Sequence, residues 1–186
     1  VYFYAIGGGY EDQIGLGIDK ITEYLQIFKI GNTTGIAVLS ESKGQTPTPK
    51  WKRDTFNGDE WRLADTYLTS IGQHGYEVTP LQMVRAVGAI ATEGEMVIPT
   101  ILHDEEDNKK EASSIPLERE HFKIVKEGME YAVANGTASG LYMDNVTVAA
   151  KTGTAEADAN KEHIHSWLIG YFPYDKPKYA FVFMLD

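Results

Sequence analysis

The hydrophobic pattern of the chain changes once, at Asn135-Gly136, and this change constrains the fold more than any other feature. Before it, apolar residues recur at three- and four-residue steps, which is typical of amphipathic helices. After it, short apolar and aromatic runs are separated by turn residues, which is typical of strands. A helical region followed by three consecutive strands predicts an α+β fold with an antiparallel sheet.

The first 70 residues contain two apolar elements and one long polar stretch. Residues 1–9 are aromatic and apolar and end in glycines, which predicts a buried helix or strand. Residues 18–29 carry isoleucine, leucine and phenylalanine at helical spacing, and Gly31 is expected to end that helix. Residues 40–70 are polar and contain proline and glycine, so they predict a long loop with little regular structure.

Two further helices and a charged loop are expected before residue 135. Thr79 can cap free N–H groups and Pro80 suits a first helical position, so a helix begins there and is expected to end at Gly94. Residues 103–114 predict a charged loop, and residues 117–134 the next helix. The predicted apolar stripes are Leu81, Val84, Val87 and Ile90/Ala91 in the first helix, and Leu117, Ile124/Val125, Met129 and Ala132/Val133 in the second.

Three strands are predicted after the change of pattern. Residues 146–150 lead into a first strand, residues 167–172 form a second and residues 179–185 a third. The segment 173–177, with two prolines and an aspartate, predicts the turn between the last two strands.

Composition excludes several functional classes. The chain has 17 Lys and Arg against 27 Asp and Glu, a net charge of −10, which argues against a nucleic-acid partner because phosphate binding needs a basic surface. It has no cysteine, which excludes disulfides, thiol catalysis and cysteine-bound metal. No apolar run approaches the length of a membrane span.

Both ends of the chain lack the features of natural termini. The chain begins at Val1 without a methionine or a signal peptide, and its last residues, up to Asp186, are strand-like without a polar tail. We expect an internal piece of a longer protein.

Lys151-Thr152-Gly153-Thr154, at the end of an apolar strand, is the segment best suited to chemistry. Lys151 offers a fixed positive charge, and the hydroxyls of Thr152 and Thr154 alternate onto one face, where both can bind a carboxylate. Gly153 lets a ligand backbone lie against the strand, and the N–H of Thr154 can point at a developing oxyanion. The alternative is a polar strand end with a surface lysine.

The same segment belongs to an ordered series of short segments that resembles the transpeptidase domain of class B penicillin-binding proteins, most closely the elongation-type penicillin-binding protein 2 group. The resemblance covers nearly the whole chain and implies a serine β-lactamase/D,D-peptidase-like fold. Its segments are Tyr2-Phe3-Tyr4, Thr34-Gly35-Ile36, Asp65-Thr66, Ser70-Ile71-Gly72-Gln73, Val78-Thr79-Pro80-Leu81-Gln82-Met83, Gly128-Met129, Asn135-Gly136-Thr137-Ala138, Ala150-Lys151-Thr152-Gly153-Thr154-Ala155-Glu156 and His165-Ser166-Trp167-Leu168-Ile169-Gly170-Tyr171-Phe172-Pro173.

The resemblance implies acyl transfer without metal or cofactor. A serine of the family attacks the D-Ala-D-Ala carbonyl of a peptidoglycan stem peptide, and a second stem peptide resolves the acyl-enzyme into a crosslink. Lys151 would act electrostatically and tune the proton relay, Thr152 and Thr154 would bind the substrate carboxylate beside Gly153, and the Thr154 N–H would form half of the oxyanion hole. The implied partners are stem peptides, β-lactams and the cell-wall elongation machinery. The implied location is a membrane-anchored parent with its catalytic domain on the extracytoplasmic face, the chain itself being soluble.

The family uses two further motifs, Ser-x-x-Lys with the nucleophile and Ser-x-Asn, and both are expected upstream of this chain. Residues 1–186 would then be a partial transpeptidase domain, inactive alone and lacking its C-terminal end. The literal match Ser40-Glu41-Ser42-Lys43 is interpreted as coincidence, because no apolar stripe follows to place Ser40 at a helix start. A β-lactamase is disfavoured, since no Glu-x-x-Leu-Asn-like segment occurs. A non-catalytic β-lactam sensor or cell-wall scaffold module remains the alternative function.

Departures from the family pattern fall at His74 and Ala64, where glycine is common, and they concern loop shape near the cleft. His163 and His165 are interpreted as exposed loop residues rather than metal ligands, because no spacing selects a third ligand. The acidic run at 104–107 is interpreted as a solvated loop, and Gly15-Leu16-Gly17 lacks the frame of a dinucleotide site.

Overall fold

A computed structural model describes residues 1–36, 39–101, 112–156 and 164–186. The chain divides into two compact units. Unit 1 comprises Val1–Asn32 and Lys43–Val78, and unit 2 comprises Thr33–Ser42 and Thr79–Asp186. Among the described residues, no helix combines the length and the apolar character needed to cross a bilayer.

Unit 1 contains four helices: α1 (Tyr2–Gly8), α2 (Gly17–Ile27), α3 (Pro49–Thr55) and α4 (Leu63–Ser70). The prediction that residues 1–9 are buried is wrong, since Tyr2 is 70% exposed and only Gly7 of α1 is buried. A Cβ atom on Gly7 would lie 1.7 Å from the Oγ of Ser70 in α4. Gly7 therefore faces α4, and the Tyr4 ring packs edge-on against Tyr67 of the same helix, whereas Tyr2 and Phe3 are exposed.

The predicted helix over residues 18–29 is confirmed as α2, but Gly31 does not end it. Phe28 is the C-cap, and Lys29 next to it takes a left-handed φ of 53°. The N–H of Lys29 donates to the carbonyl of Gln26, and that of Ile30 to the carbonyl of Leu25. These two bonds form a Schellman motif two residues before the expected glycine.

The long loop predicted over residues 40–70 is wrong, because it contains α3 and α4. Both helices begin with local capping that the polar composition concealed. The Thr48 hydroxyl accepts a bond from the Trp51 N–H at 3.0 Å, and the Asp65 carboxylate accepts one from the Arg62 N–H at 2.6 Å. Caps of this kind satisfy the free N–H groups of a first turn and so stabilise short polar helices.

Unit 2 contains helices α5 (Pro80–Ala91) and α6 (Arg119–Asn135), a 3-10 turn (Ser139–Leu141), and strands β1 (Glu95–Met96), β2 (Ser113–Ser114), β3 (Ala149–Glu156), β4 (Ile164–Phe172) and β5 (Tyr179–Leu185). β1 and β2 form a two-stranded pair, and β3, β4 and β5 form an antiparallel sheet in that order. The three predicted strands, their antiparallel arrangement and the α+β class are confirmed. Most of the predicted loop at 103–114 lies outside the described residues; its last two residues form β2.

α5 begins at the predicted cap. The Gln82 N–H donates to the Thr79 hydroxyl at 3.2 Å, and the Thr79 N–H donates to the Gln82 side chain at 2.9 Å. Val87 and Ala91 are buried as the stripe predicts. The polar side chains of Gln82 and Arg85 are buried as well, which hydrophobic periodicity does not reveal.

The stripe predicted for α6 is only partly right. Met129 and Val133 are buried together with Phe122, but Ile124 is 61% exposed and Val125 46%. Successive helical residues are about 100° apart, so Phe122, Met129 and Val133 fall on one line and Ile124 faces away from it.

Two clusters of buried residues lie around the start of β3. The first joins α5 and α6 to the sheet, and the second lies beneath the C-terminal end of α6. Their members are Val87, Ala91, Met129, Ala149 and Tyr171 in the first, and Val133, Ala138, Val148 and Ala150 in the second. Consecutive strand residues point to opposite faces, so the full burial of Ala149 and Ala150 covers β3 on both faces just before Lys151.

Candidate functional site

The four predicted site residues lie together on β3. Opposite them on β4, in the same order, lie Ile169, Leu168, Trp167 and Ser166. Lys151, Gly153 and Thr154 are exposed and Thr152 is half-buried. In the part of the sheet that the structure describes, β3 is an edge strand, so this segment has one side open to a ligand.

Thr152 and Thr154 share one face of β3, as their spacing predicts. Residues directly opposite in an antiparallel pair also share a face, so Ser166 lies beside Thr154. Ser166 is exposed. Its hydroxyl therefore joins the hydroxyl-bearing face through the strand register, which sequence spacing does not specify.

Thr137 is the site residue that sequence reasoning missed. Its Oγ1 lies 2.7 Å from the Oγ1 of Thr152, although the two residues are 15 positions apart. The only sequence signal is its place in the segment Asn135-Gly136-Thr137-Ala138, between α6 and the sheet. A hydroxyl outside the strand thus bonds directly to one of the predicted carboxylate-binding groups.

The arrangement combines one cation with neutral hydrogen-bonding groups. The Lys151 ammonium donates to the carbonyl of Thr152, which holds the charge close to the strand. A Cβ atom on Gly153 would lie 3.3 Å from the Cβ of Trp167, so the strand surface is closely approached there even without a side chain. A positive charge beside hydroxyl donors is suited to an anionic group such as a carboxylate.

Among the described residues, no three histidine, cysteine, aspartate or glutamate side chains are placed to hold a metal ion. The interpretation of His165 as an exposed loop residue is wrong: it is half-buried in β4, with Nε2 3.1 Å from Oδ1 of Asp186. His163 and the acidic run at 104–107 lie outside the described residues. Ser40 lies outside any helix, as its interpretation as a coincidental match requires.

Unit 1 contains a separate polar cluster around Lys52. Its ammonium lies 2.7 Å from Asp65 and 3.0 Å from Asp59, and the Lys52 side chain is only 5% exposed. His74 has a left-handed φ of 71° and places Nε2 3.1 Å from Asp65. Its ring packs edge-on against Trp61. The charges in this cluster bind one another, which indicates a structural role.

A family model described as the penicillin binding protein transpeptidase domain matches residues 2–186. The chain belongs to this family. The resemblance predicted from the ordered sequence segments is therefore confirmed.

The chain is similar in sequence to proteins named peptidoglycan D,D-transpeptidase, and in structure to penicillin-binding proteins. The chain is 29% identical over 209 residues to the peptidoglycan D,D-transpeptidase MrdA of Haemophilus influenzae, covering all of this chain and 31% of that protein. Penicillin-binding protein PBP2 from Helicobacter pylori superposes with a TM-score of 0.83 at 30% identity, over all of this chain and 34% of the other. The complex of the Helicobacter pylori PBP2 with MreC also gives a TM-score of 0.83, at 32% identity and over the same shares of the two chains. The chain thus spans about a third of the length of these relatives.

Proposed function

We propose that the protein containing this chain is a peptidoglycan D,D-transpeptidase of the elongation type, and that this chain supplies its substrate-binding strand. The observation that carries the proposal is the placement of Lys151, Thr152, Gly153 and Thr154 together on the open edge strand β3. Family membership and the names of the relatives support the same reaction class.

Each residue of the strand has a distinct role in this proposal. Lys151 supplies the positive charge that attracts the substrate carboxylate and tunes the proton relay. The hydroxyls of Thr152 and Thr154 bind that carboxylate, while Gly153 lets the peptide backbone lie along the strand. The N–H of Thr154 stabilises the oxyanion of the tetrahedral intermediate.

The proposed reaction is a two-step acyl transfer. A serine hydroxyl loses its proton to a base and its oxygen attacks the carbonyl of the penultimate D-Ala, breaking the bond to the last D-Ala, which leaves with a proton on its amine. An amine of a second stem peptide then attacks the acyl-enzyme, which forms the new peptide bond and returns the proton to the serine. A β-lactam acylates the same serine.

We assign the nucleophile to a part of the protein outside this chain. The 186 residues contain no Ser-x-Asn motif, and their one Ser-x-x-Lys match, at Ser40, lies outside any helix. The chain spans about a third of its relatives, which leaves room for both motifs in the remainder. Residues 1–186 are then a partial domain without activity of its own.

We extend the proposal to partners and location by analogy with the relatives. The solved complex of a PBP2 with MreC supports a place in the cell-wall elongation machinery, and stem peptides and β-lactams are the proposed ligands. A membrane-anchored parent with this domain on the extracytoplasmic face gives it access to peptidoglycan.

Labelling with a fluorescent penicillin tests the proposal. We compare this chain with a longer form of the protein that includes the preceding coding region. We expect only the longer form to be labelled, and we expect Lys151→Ala to abolish its labelling because the charge that attracts the carboxylate is lost. Lys176→Ala, which removes an exposed lysine from the turn between β4 and β5, is the control and should label normally.

Two results would contradict the proposal. Equal labelling of the longer form with and without Lys151→Ala would show that the Lys151 charge on β3 is not needed for penicillin binding. Absence of labelling in both forms, with both folded, would favour a non-catalytic scaffold module.

A further inference from the structure

We propose that Thr137 is a positioning residue that sets the hydrogen-bond direction of Thr152 and so readies its hydroxyl for the substrate carboxylate. This inference rests on the proposed function, because it assigns a second residue to the same carboxylate site. Its basis is the 2.7 Å distance between the two Oγ1 atoms. Only Thr152 of this pair lies on the binding strand.

The turn that carries Thr137 is firmly held. The N–H groups of Gly136 and Ala138 both donate to the carbonyl of Ala132, at 3.1 and 3.0 Å. A Cβ atom on Gly136 would lie 2.9 Å from the Cα of Ala132, so only glycine allows the turn to close this tightly against α6. The two residues that flank Thr137 therefore fix its backbone.

The same turn is joined to β3 through the core. Ala138 is 4% exposed and belongs to the buried cluster that contains Ala150, the residue directly before Lys151. Thr137 and the binding strand thus rest on a common set of buried side chains. The Thr137 side chain is itself exposed, so what packing fixes is the backbone on either side of the contact.

The direction of the hydrogen bond between Thr137 and Thr152 determines whether Thr152 can bind a carboxylate. Each hydroxyl has one donor hydrogen and two acceptor lone pairs, and a carboxylate can only accept. If Thr152 donates to Thr137, its single hydrogen is used and it repels a carboxylate. If Thr137 donates to Thr152, the hydrogen of Thr152 is free to donate to the ligand.

A bound carboxylate therefore selects one direction along the chain, from Thr137 to Thr152 to the ligand. Hydrogen bonds in such a chain polarise one another, which strengthens the last one. Without the Thr137 hydroxyl, Thr152 has no fixed donor and its hydroxyl rotor must be ordered when the ligand binds. Thr137 thus readies Thr152 to donate to any acceptor, and the gain is largest for an anionic group, because hydrogen bonds to charged acceptors are the stronger ones.

The test measures acylation of the longer form by benzylpenicillin and by its methyl ester, which lacks the anion. We expect Thr137→Val to lower the second-order acylation rate constant for the free acid by about three- to tenfold, the worth of one hydrogen bond. The rate constant for the ester should fall less, because its neutral carbonyl accepts a weaker hydrogen bond than the carboxylate does. Thr137→Ser, which keeps the hydroxyl, should be acylated by the free acid at the wild-type rate. Ser139→Ala, which removes a hydroxyl two residues away, is the control and should also be acylated at the wild-type rate.

A double-mutant comparison shows whether Thr137 acts through Thr152. In a Thr152→Val background, Thr137→Val should cause no further loss of free-acid acylation, because the group that it positions is gone. Thermal unfolding of each variant, monitored by circular dichroism, shows whether the fold is retained.

Four results would overturn the inference. If benzylpenicillin acylates Thr137→Val at the wild-type rate, Thr137 has no role in carboxylate binding. If Thr137→Val lowers the acylation rate constants of benzylpenicillin and its methyl ester by the same factor, the role of Thr137 is merely structural. Additive losses in the double mutant would mean that Thr137 acts elsewhere. If penicillin does not acylate the wild-type longer form, the proposed function is wrong and this inference fails with it. This outcome is distinguishable from failure of the inference alone, because it is seen in the wild type without any substitution.

Discussion

At the scale of single residues, unit 1 is organised around a buried positive charge. Lys52 is 4% exposed, and its ammonium donates to Asp65 and to the carbonyl of Glu60. A buried ammonium is costly unless its hydrogens are bonded, so these oxygens must be in place for the unit to fold. His74 has a left-handed φ at a position where the family resemblance predicts glycine, and its ring packs edge-on against both Trp51 and Trp61, which helps to hold this strained conformation.

The acid stability of the chain should depend on Asp65. Burial alone would raise the pKa of its carboxyl, but the bond from Lys52, the Arg62 N–H and the nearby His74 outweigh burial and hold the pKa below its ordinary value of 3.8. A lowered folded-state pKa stabilises the fold above the ordinary value, and this contribution is lost as the pH falls through the folded-state pKa. We expect Asp65→Asn to be less stable than the wild type at about pH 6, with the difference shrinking toward about pH 3.

Urea unfolding at both pH values measures this difference. Asp54→Asn is the matched control, since it removes an equal charge from the exposed ion pair with Lys50. A gap between Asp65→Asn and the wild type that is the same at both pH values would show that Asp65 contributes nothing through its charge.

At the scale of elements, α6 shows how far hydrophobic periodicity predicts packing. The helix itself follows from the spacing of its apolar residues, but two of those residues, Ile124 and Val125, face solvent. The core is contacted instead by Phe122, Met129 and Val133. When a helix has apolar residues on more than one side, its sequence is compatible with several core-facing stripes. The position of the sheet against α6 selects one of them.

A pair of alanine substitutions on α6 should separate the two stripes. We expect Met129→Ala to lower the free energy of unfolding by about 2–5 kcal/mol, because it leaves a cavity against Ala149 and Tyr171. Ile124→Ala should change it by less than about 0.5 kcal/mol, because that side chain is mostly exposed. Chemical denaturation measures both, and equal losses would contradict the observed orientation of α6.

At the scale of the whole chain, the edges of the sheet favour self-association in solution. In the described residues the sheet ends at β3 on one side and at β5 on the other. β5 is rich in exposed apolar residues, with Phe183 61% and Leu185 71% exposed. Open strand edges with apolar side chains favour pairing between molecules.

We therefore expect the isolated chain to form oligomers or to be poorly soluble. Sedimentation velocity over a range of concentrations measures this association. A double substitution of Phe183 and Leu185 by lysine should reduce it, because charge on an edge strand opposes pairing. Tyr131→Lys, at an equally exposed aromatic of α6, is the control. A monomeric wild-type chain with a sharp unfolding transition would contradict the prediction.

The elements whose signals are local can be predicted from the sequence alone. The cap at Thr79, the three strands and the placement of the Lys151–Thr154 segment on the first of them follow from hydrogen bonding and alternation among neighbouring residues. The family also follows from the sequence, because its motifs are short contiguous segments in order. Local signals failed where the composition was polar, as at α3 and α4.

Which distant groups come into contact depends on the tertiary fold. It brings the hydroxyl of Thr137 onto Thr152 and places Ser166 beside Thr154 through the register of β3 and β4. It also buries the polar side chains of Gln82 and Arg85 on α5, whose predicted stripe is apolar. Such contacts depend on how helices pack against the sheet. The physical reason is that periodicity and capping act over a few residues, whereas a contact across the fold depends on the whole arrangement of the core.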